Sequence, residues 1–117
     1  MYEQILRPCL FKLSPENAHN LSIQSLKVAT ALRLPLYLLK RMAQPEGARS
    51  VKLWDLEFPN AIGLAAGMDK DAEVIAAMLG LGFGFVEVGT VTPNPQPGNE
   101  KPRLFRYPAT HAIVNRM

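Results

Sequence analysis

The sequence predicts an α/β protein in which an N-terminal helical segment precedes a strand–helix–strand unit. Three observations predict it. Apolar residues recur at three- and four-residue spacing through the first 45 positions; residues 61–65 and 83–88 are short apolar runs that each empty into a polar, glycine-bearing loop; and an alanine-rich stretch separates those runs. A strand, a crossover helix and a second parallel strand bring both strand ends to one rim of the sheet, where α/β enzymes keep their chemistry.

The elements follow in order. Tyr2, Ile5, Leu6, Cys9, Leu10 and Leu13 share one helical face, and Pro8 predicts a bend or a helix that starts only just before it, because proline lacks the N–H that closes a helical turn. Ser14 followed by Pro15 marks a second helix start, the hydroxyl capping a free amide and proline suiting the first position. That helix should run to about Leu32, with Ala18, Leu21, Ser25, Val28 and Leu32 along one stripe. Residues 34–42 predict a third short helix and 44–50 a linker rich in proline, glycine and polar residues. Residues 51–58 read as one strand, and Pro59 and Asn60 as a turn. The run 61–65 reads as a strand buried on both faces, 71–79 as the crossover helix ended by Gly80, 83–88 as the second strand, and PNPQPGNEKPR as a long rim loop.

At 48% hydrophobic and 20% charged the composition is that of an ordinary globular chain. The single Cys9 excludes an internal disulfide, fits a reducing compartment and is read as a small apolar helix residue without a redox role. No window reaches the ~18 uninterrupted apolar residues of a membrane-spanning helix, and no secretory signal or organellar presequence is expected from the N-terminus. The net charge of +3 is uneven. Residues 1–45 carry six basic and two acidic side chains, against seven basic and eight acidic in 46–117. A basic helical leader favours an anionic surface, and without interleaved aromatics for base stacking a lipid surface is expected rather than nucleic acid. The leader reads either as a helical cap on the following domain or as an interfacial membrane helix pair.

Gly67 and Lys70 lie just past the first barrel-type strand, and Gly89 and Thr90 just past the second. Glycine lets a ligand approach the backbone and lysine supplies a fixed positive charge, which suits a flat anionic cofactor; a solvated loop lysine is the bland alternative. No metal-ligand cluster is expected.

The strings LAAGMDKDAE, GFGFVEVGTVTPNPQPGNEKPRLFR and IVNRM, with LSPENAH upstream, closely resemble the class 2, quinone-dependent dihydroorotate dehydrogenases. The resemblance covers the whole chain and about the first third of the family's length. It implies the opening part of a (β/α)8 TIM barrel, incomplete in this chain, since such a barrel needs about 250 residues. Residues 1–45 are then the helical segment for quinone access and membrane association, and 46–117 the start of the FMN-binding barrel.

By that resemblance Ala66, Gly67, Met68, Asp69, Lys70 and Thr90 bind FMN. Lys70, Asn115, Arg116 and Met117 meet the substrate, and His19 and Arg106 line the quinone path. The implied reaction oxidises (S)-dihydroorotate to orotate in pyrimidine synthesis, with ubiquinone or menaquinone as acceptor, at the cytoplasmic face of a bacterial inner membrane. The family's catalytic serine base falls beyond residue 117, so the isolated chain is expected to be inactive. A soluble class 1 enzyme and a non-catalytic membrane-binding or interaction module are the alternatives.

Overall fold

A computed structural model describes residues 2–32, 38, 43, 47 and 49–117. The third helix expected at 34–42 lies, apart from Leu38, outside the described residues, as does most of the 44–50 linker. The chain divides into two compact units, residues 1–22 with 92–117, and residues 23–91.

In the first unit, Tyr2–Leu6 forms a wide π-type turn that passes into helix α1 (Arg7–Phe11), with Pro8 in its first turn. The change of helix type just before Pro8 is the disturbance that its missing N–H predicts. Helix α2 (Pro15–Leu32), of which residues 15–22 belong to this unit and 23–32 to the second, starts as the sequence indicates: the Ser14 hydroxyl accepts the Asn17 N–H at 3.2 Å, and the Ser14 carbonyl accepts that of Ala18 at 2.9 Å. Strands β5 (Leu104–Tyr107) and β6 (Ala112–Asn115) pair antiparallel, with Leu104 opposite Asn115 and Tyr107 opposite Ala112. A short 3-10 turn, Pro108–Thr110, joins them, and His111 closes it at a φ of 50°.

The second unit opens with a correction. Residues 51–58 are a hairpin, not one strand: β1 (Val51–Leu53) pairs antiparallel with β2 (Leu56–Phe58). Trp54 and Asp55, at φ 48° and 63°, make the two-residue turn. Two consecutive left-handed residues are what a primed hairpin turn needs, and asparagine or glycine would have announced it, whereas Trp-Asp does not.

The strand–helix–strand unit is present. Strand β3 (Gly63–Leu64) pairs parallel with β4 (Phe85–Val86), Gly63 opposite Phe85 and Leu64 opposite Val86. Bonds from Gly84 N to the Ile62 carbonyl (2.8 Å) and from Glu87 N to that of Leu64 (2.9 Å) extend the ladder. Both strands are shorter than the apolar runs that announced them. The crossover helix α3 is Ile75–Gly80, starting four residues later than expected. Ala72 at φ 59° breaks the helical path before it.

The core of this unit joins Ile23 of α2 to Val74, Ala77 and Met78, with Leu26, Leu64, Met68, Phe83 and Val86 packed around them. Val74 is 1% exposed, and burial of such a side chain contributes about 1.5–3 kcal/mol. The expected stripe on α2 needs correcting. Of Ala18, Leu21, Ser25, Val28 and Leu32 only Ala18 is buried, while Leu21, Val28 and Leu32 are exposed and Ile23 and Leu26 make the packed face.

Candidate functional site

Because β3 and β4 run parallel, the chain leaves each by the same edge. The first exit is the loop 65–74, which carries Ala66, Gly67, Met68, Asp69 and Lys70; the second, 87–91, carries Gly89 and Thr90. The first loop divides its five candidates into inward and outward members. Ala66, Gly67 and Lys70 are exposed, whereas Met68 packs on the core and Asp69 is 2% exposed. Asp69 Oδ1 accepts the Glu73 N–H and Oδ2 that of Val74, both at 2.8 Å, so its carboxylate is engaged by the loop's own backbone. Glu73 forms an ion pair with Lys27 of α2.

Gly67 has a φ of 110°, which L side chains rarely adopt, and a methyl group placed on it would meet nothing within 4 Å. The space in front of it is open. Gly89, at φ 103°, is buried, while Thr90 beside it is exposed with its hydroxyl at the second exit. An open glycine surface, an exposed lysine and an exposed threonine thus lie at the ends of neighbouring parallel strands, a set of groups that can receive an anionic ligand.

The remaining candidates belong to the other unit. His19 is half-buried in the second turn of α2. The Arg106 guanidinium on β5 lies 4.1 Å from the centroid of the Phe11 ring, a cation–π stack between helix α1 and the strand. Asn115 ends β6, and its Oδ1 accepts the Met117 N–H at 3.4 Å. The backbone of the same segment is tied down. Arg116 N donates to the Arg103 carbonyl at 2.9 Å, Arg116 Nη2 to that of Pro102 at 3.1 Å, and Asn99 Nδ2 to that of Arg116 at 2.7 Å.

Sequence reasoning missed the knot that organises this unit. Glu16 accepts from Arg103 Nη2 (2.8 Å) and Nε (3.2 Å) and pairs with Lys101 (3.2 Å), while Arg103 Nη1 donates to the Pro97 carbonyl at 2.8 Å. The Arg103 hydrogen bonds hold the Glu16 carboxyl below its ordinary range, assisted by Lys101 and opposed by partial desolvation. No local signal links residues 87 positions apart. Among the described residues no group of three histidine, cysteine, aspartate or glutamate side chains is placed to hold a metal.

A family model described as dihydroorotate dehydrogenase matches residues 49–117. The chain belongs to the dihydroorotate dehydrogenase family. The quinone-type dihydroorotate dehydrogenase of Methylococcus capsulatus is 55% identical over the whole chain, which spans 33% of that relative. That of Nitrosospira multiformis is 52% identical over the whole chain and 32% of the relative. Among solved structures, the Eimeria tenella dihydroorotate dehydrogenase in complex with ferulenol superposes with a TM-score of 0.63 at 41% identity, over 87% of this chain and 25% of that one. The ligand-free form from the same organism gives the same score over 88% and 26%. The chain thus spans about a third of the length of the curated dihydroorotate dehydrogenases it matches.

Proposed function

We propose that these 117 residues are part of a quinone-dependent dihydroorotate dehydrogenase, an FMN oxidoreductase that converts (S)-dihydroorotate to orotate. What carries the reading is identity above 50% along the entire chain to relatives named for that activity. The paired exits from two parallel strands support it, and so do their exposed glycine and lysine. The strand–helix–strand unit is read as the opening of a (β/α)8 barrel in residues 46–117, and residues 1–45 as the segment that meets quinone and the membrane surface.

FMN, when bound, supplies the acceptor for the hydride leaving the substrate. Ala66, Gly67 and Thr90, which are exposed, would hold it, with the loop supported by the packed Met68 and the buried Asp69. The exposed Lys70 ammonium would hold the cofactor by its fixed positive charge and would stabilise negative charge formed on it. Asn115, Arg116 and Met117 offer polar and packing contacts to the pyrimidine and its carboxylate. His19 and Arg106 serve the quinone, Arg106 as a donor to a carbonyl oxygen. No residue of this chain is assigned the proton abstraction.

The place of action is read as the cytoplasmic face of a bacterial inner membrane. Among the described residues no helix is long and apolar enough to cross a membrane; the attachment is read as peripheral, through the exposed Leu21, Val28 and Leu32 of α2. In the described residues β3 and β4 pair only with each other, and two strands with open edges make a weak scaffold. The 117-residue chain alone is therefore expected neither to retain FMN nor to reduce a dye, whereas a polypeptide of the relatives' length carrying it does both. The test is dihydroorotate-dependent reduction of a quinone analogue by that longer polypeptide. Preference for fumarate or NAD over quinone would assign it to the soluble class, and liposome binding without flavin would make it a non-catalytic module.

A further inference from the structure

The loop after β3 carries a buried carboxylate, Asp69, both of whose oxygens are taken up by the loop's own backbone. We propose that Asp69 is a positioning residue: it clamps the turn 70–74 so that the neighbouring Lys70 ammonium is held toward the cofactor, without itself touching the cofactor. The inference rests on the FMN reading of this loop.

Four observations carry it. Asp69 is 2% exposed, a position where an ionised carboxylate is costly unless fully satisfied. Both of its oxygens are satisfied by backbone donors, Glu73 N and Val74 N, each at 2.8 Å. Val74, the N-cap residue of α3, has no polar side chain of its own, and its backbone N–H is one of the two that the Asp69 carboxylate receives. Finally, Met68 is anchored in the core on one side of Asp69, while Lys70 on the other side is exposed. Lys70 therefore leaves the backbone between a fixed point at 68–69 and a clamped point at 73–74. The intervening Ala72 sits at φ 59°, which an alanine holds only when its surroundings enforce it.

The chemistry makes the clamp sensitive to a single atom. An asparagine at 69 has the same shape and one acceptor, and turns an NH2 group toward a backbone N–H that then has no partner. Preorganisation of the charge opposite the ring would be lost while the charge itself remains.

The test compares Asp69→Asn, Asp69→Glu and Glu73→Gln in the full-length enzyme. It measures FMN affinity of the apoprotein by flavin fluorescence, and flavin reduction at saturating dihydroorotate by stopped flow. Asp69→Asn is expected to weaken FMN binding about tenfold or more and to slow flavin reduction in the reloaded protein. Asp69→Glu, which keeps both acceptors, should recover part of each. Glu73→Gln removes only the exposed ion pair with Lys27 and should stay within about twofold of wild type. If Asp69→Asn lowers the melting temperature yet its folded fraction binds FMN and is reduced at the wild-type rate, the clamp merely stabilises the fold and the proposal fails. If Glu73→Gln loses as much as Asp69→Asn, the effect is general loosening and the proposal also fails. Wild-type apoprotein that takes up no FMN would instead overturn the functional reading beneath it.

Discussion

Gly84 has no room for a methyl group. A Cβ there would collide with the Asn60 backbone carbonyl oxygen, and backbone cannot swing aside as a side chain can. Asn60 is itself fixed: its Nδ2 donates to the Gly82 carbonyl and its Oδ1 accepts the Ile62 N–H, both at 2.9 Å. Gly84→Ala is therefore expected to destabilise by about 2 kcal/mol or more, read as a lowered urea midpoint. Gly67 is the contrasting case. Space is open around it, so Gly67→Ala suffers only backbone strain, about 1 kcal/mol, and its larger effect should be on FMN affinity. At this scale the sequence showed which residue types gather in the loop, and Lys70 stood out by its charge. It did not show that Met68 and Asp69 turn inward, because a side chain's direction in an irregular loop follows from bonds such as those of Asp69 rather than from any repeating pattern.

Elements that rest on local chemistry were legible, and those that rest on distant partners were not. The start of α2 is written in Ser14 and Pro15. Which face of α2 packs was misjudged, since its apolar residues encircle more than one stripe and only the core at Val74 and Met78 selects Ile23 and Leu26. The β1–β2 hairpin hid behind a Trp-Asp turn whose residues do not favour positive φ. Replacing Trp54 and Asp55 by Asn-Gly should stabilise the hairpin by about 0.5–1 kcal/mol, seen as a higher melting temperature.

The union of α2 with the β5 region depends on Glu16 and gives a pH dependence of definite sign. Arg103 depresses the folded-state pKa below the ordinary 4.5. The contribution is therefore complete above that value and is lost as pH falls through the depressed pKa. In urea titrations, Glu16→Gln should be less stable than wild type near pH 7, and the gap should close on acidification.

At the scale of the whole molecule, the candidate residues segregate. Ala66, Gly67, Met68, Asp69, Lys70 and Thr90 lie in the unit of residues 23–91, while His19, Arg106, Asn115, Arg116 and Met117 lie in the unit formed by 1–22 and 92–117. The strand–helix–strand unit was readable because its apolar runs and glycine-bearing exits are consecutive in sequence. The unit of residues 1–22 and 92–117 was not, because it joins the first residues to the last through Glu16 and Arg103. The proposed roles of Arg106 and Lys70 make the two half-reactions separable. Within the full-length enzyme, Arg106→Ala removes the proposed quinone donor and its stack on Phe11 and leaves the residues of both exit loops unchanged. Its KM for a quinone analogue should rise about tenfold, the loss of one charge-assisted hydrogen bond. FMN affinity and dihydroorotate-dependent bleaching of the flavin should not change. Lys70→Ala should behave in the opposite way, slowing the bleaching itself by about a hundredfold or more and leaving the quinone KM unaltered. Steady-state kinetics with varied quinone and single-turnover reduction with dihydroorotate measure the two separately. If Arg106→Ala slows flavin bleaching as much as Lys70→Ala does, the assignment of Arg106 to the quinone and of Lys70 to the flavin is wrong.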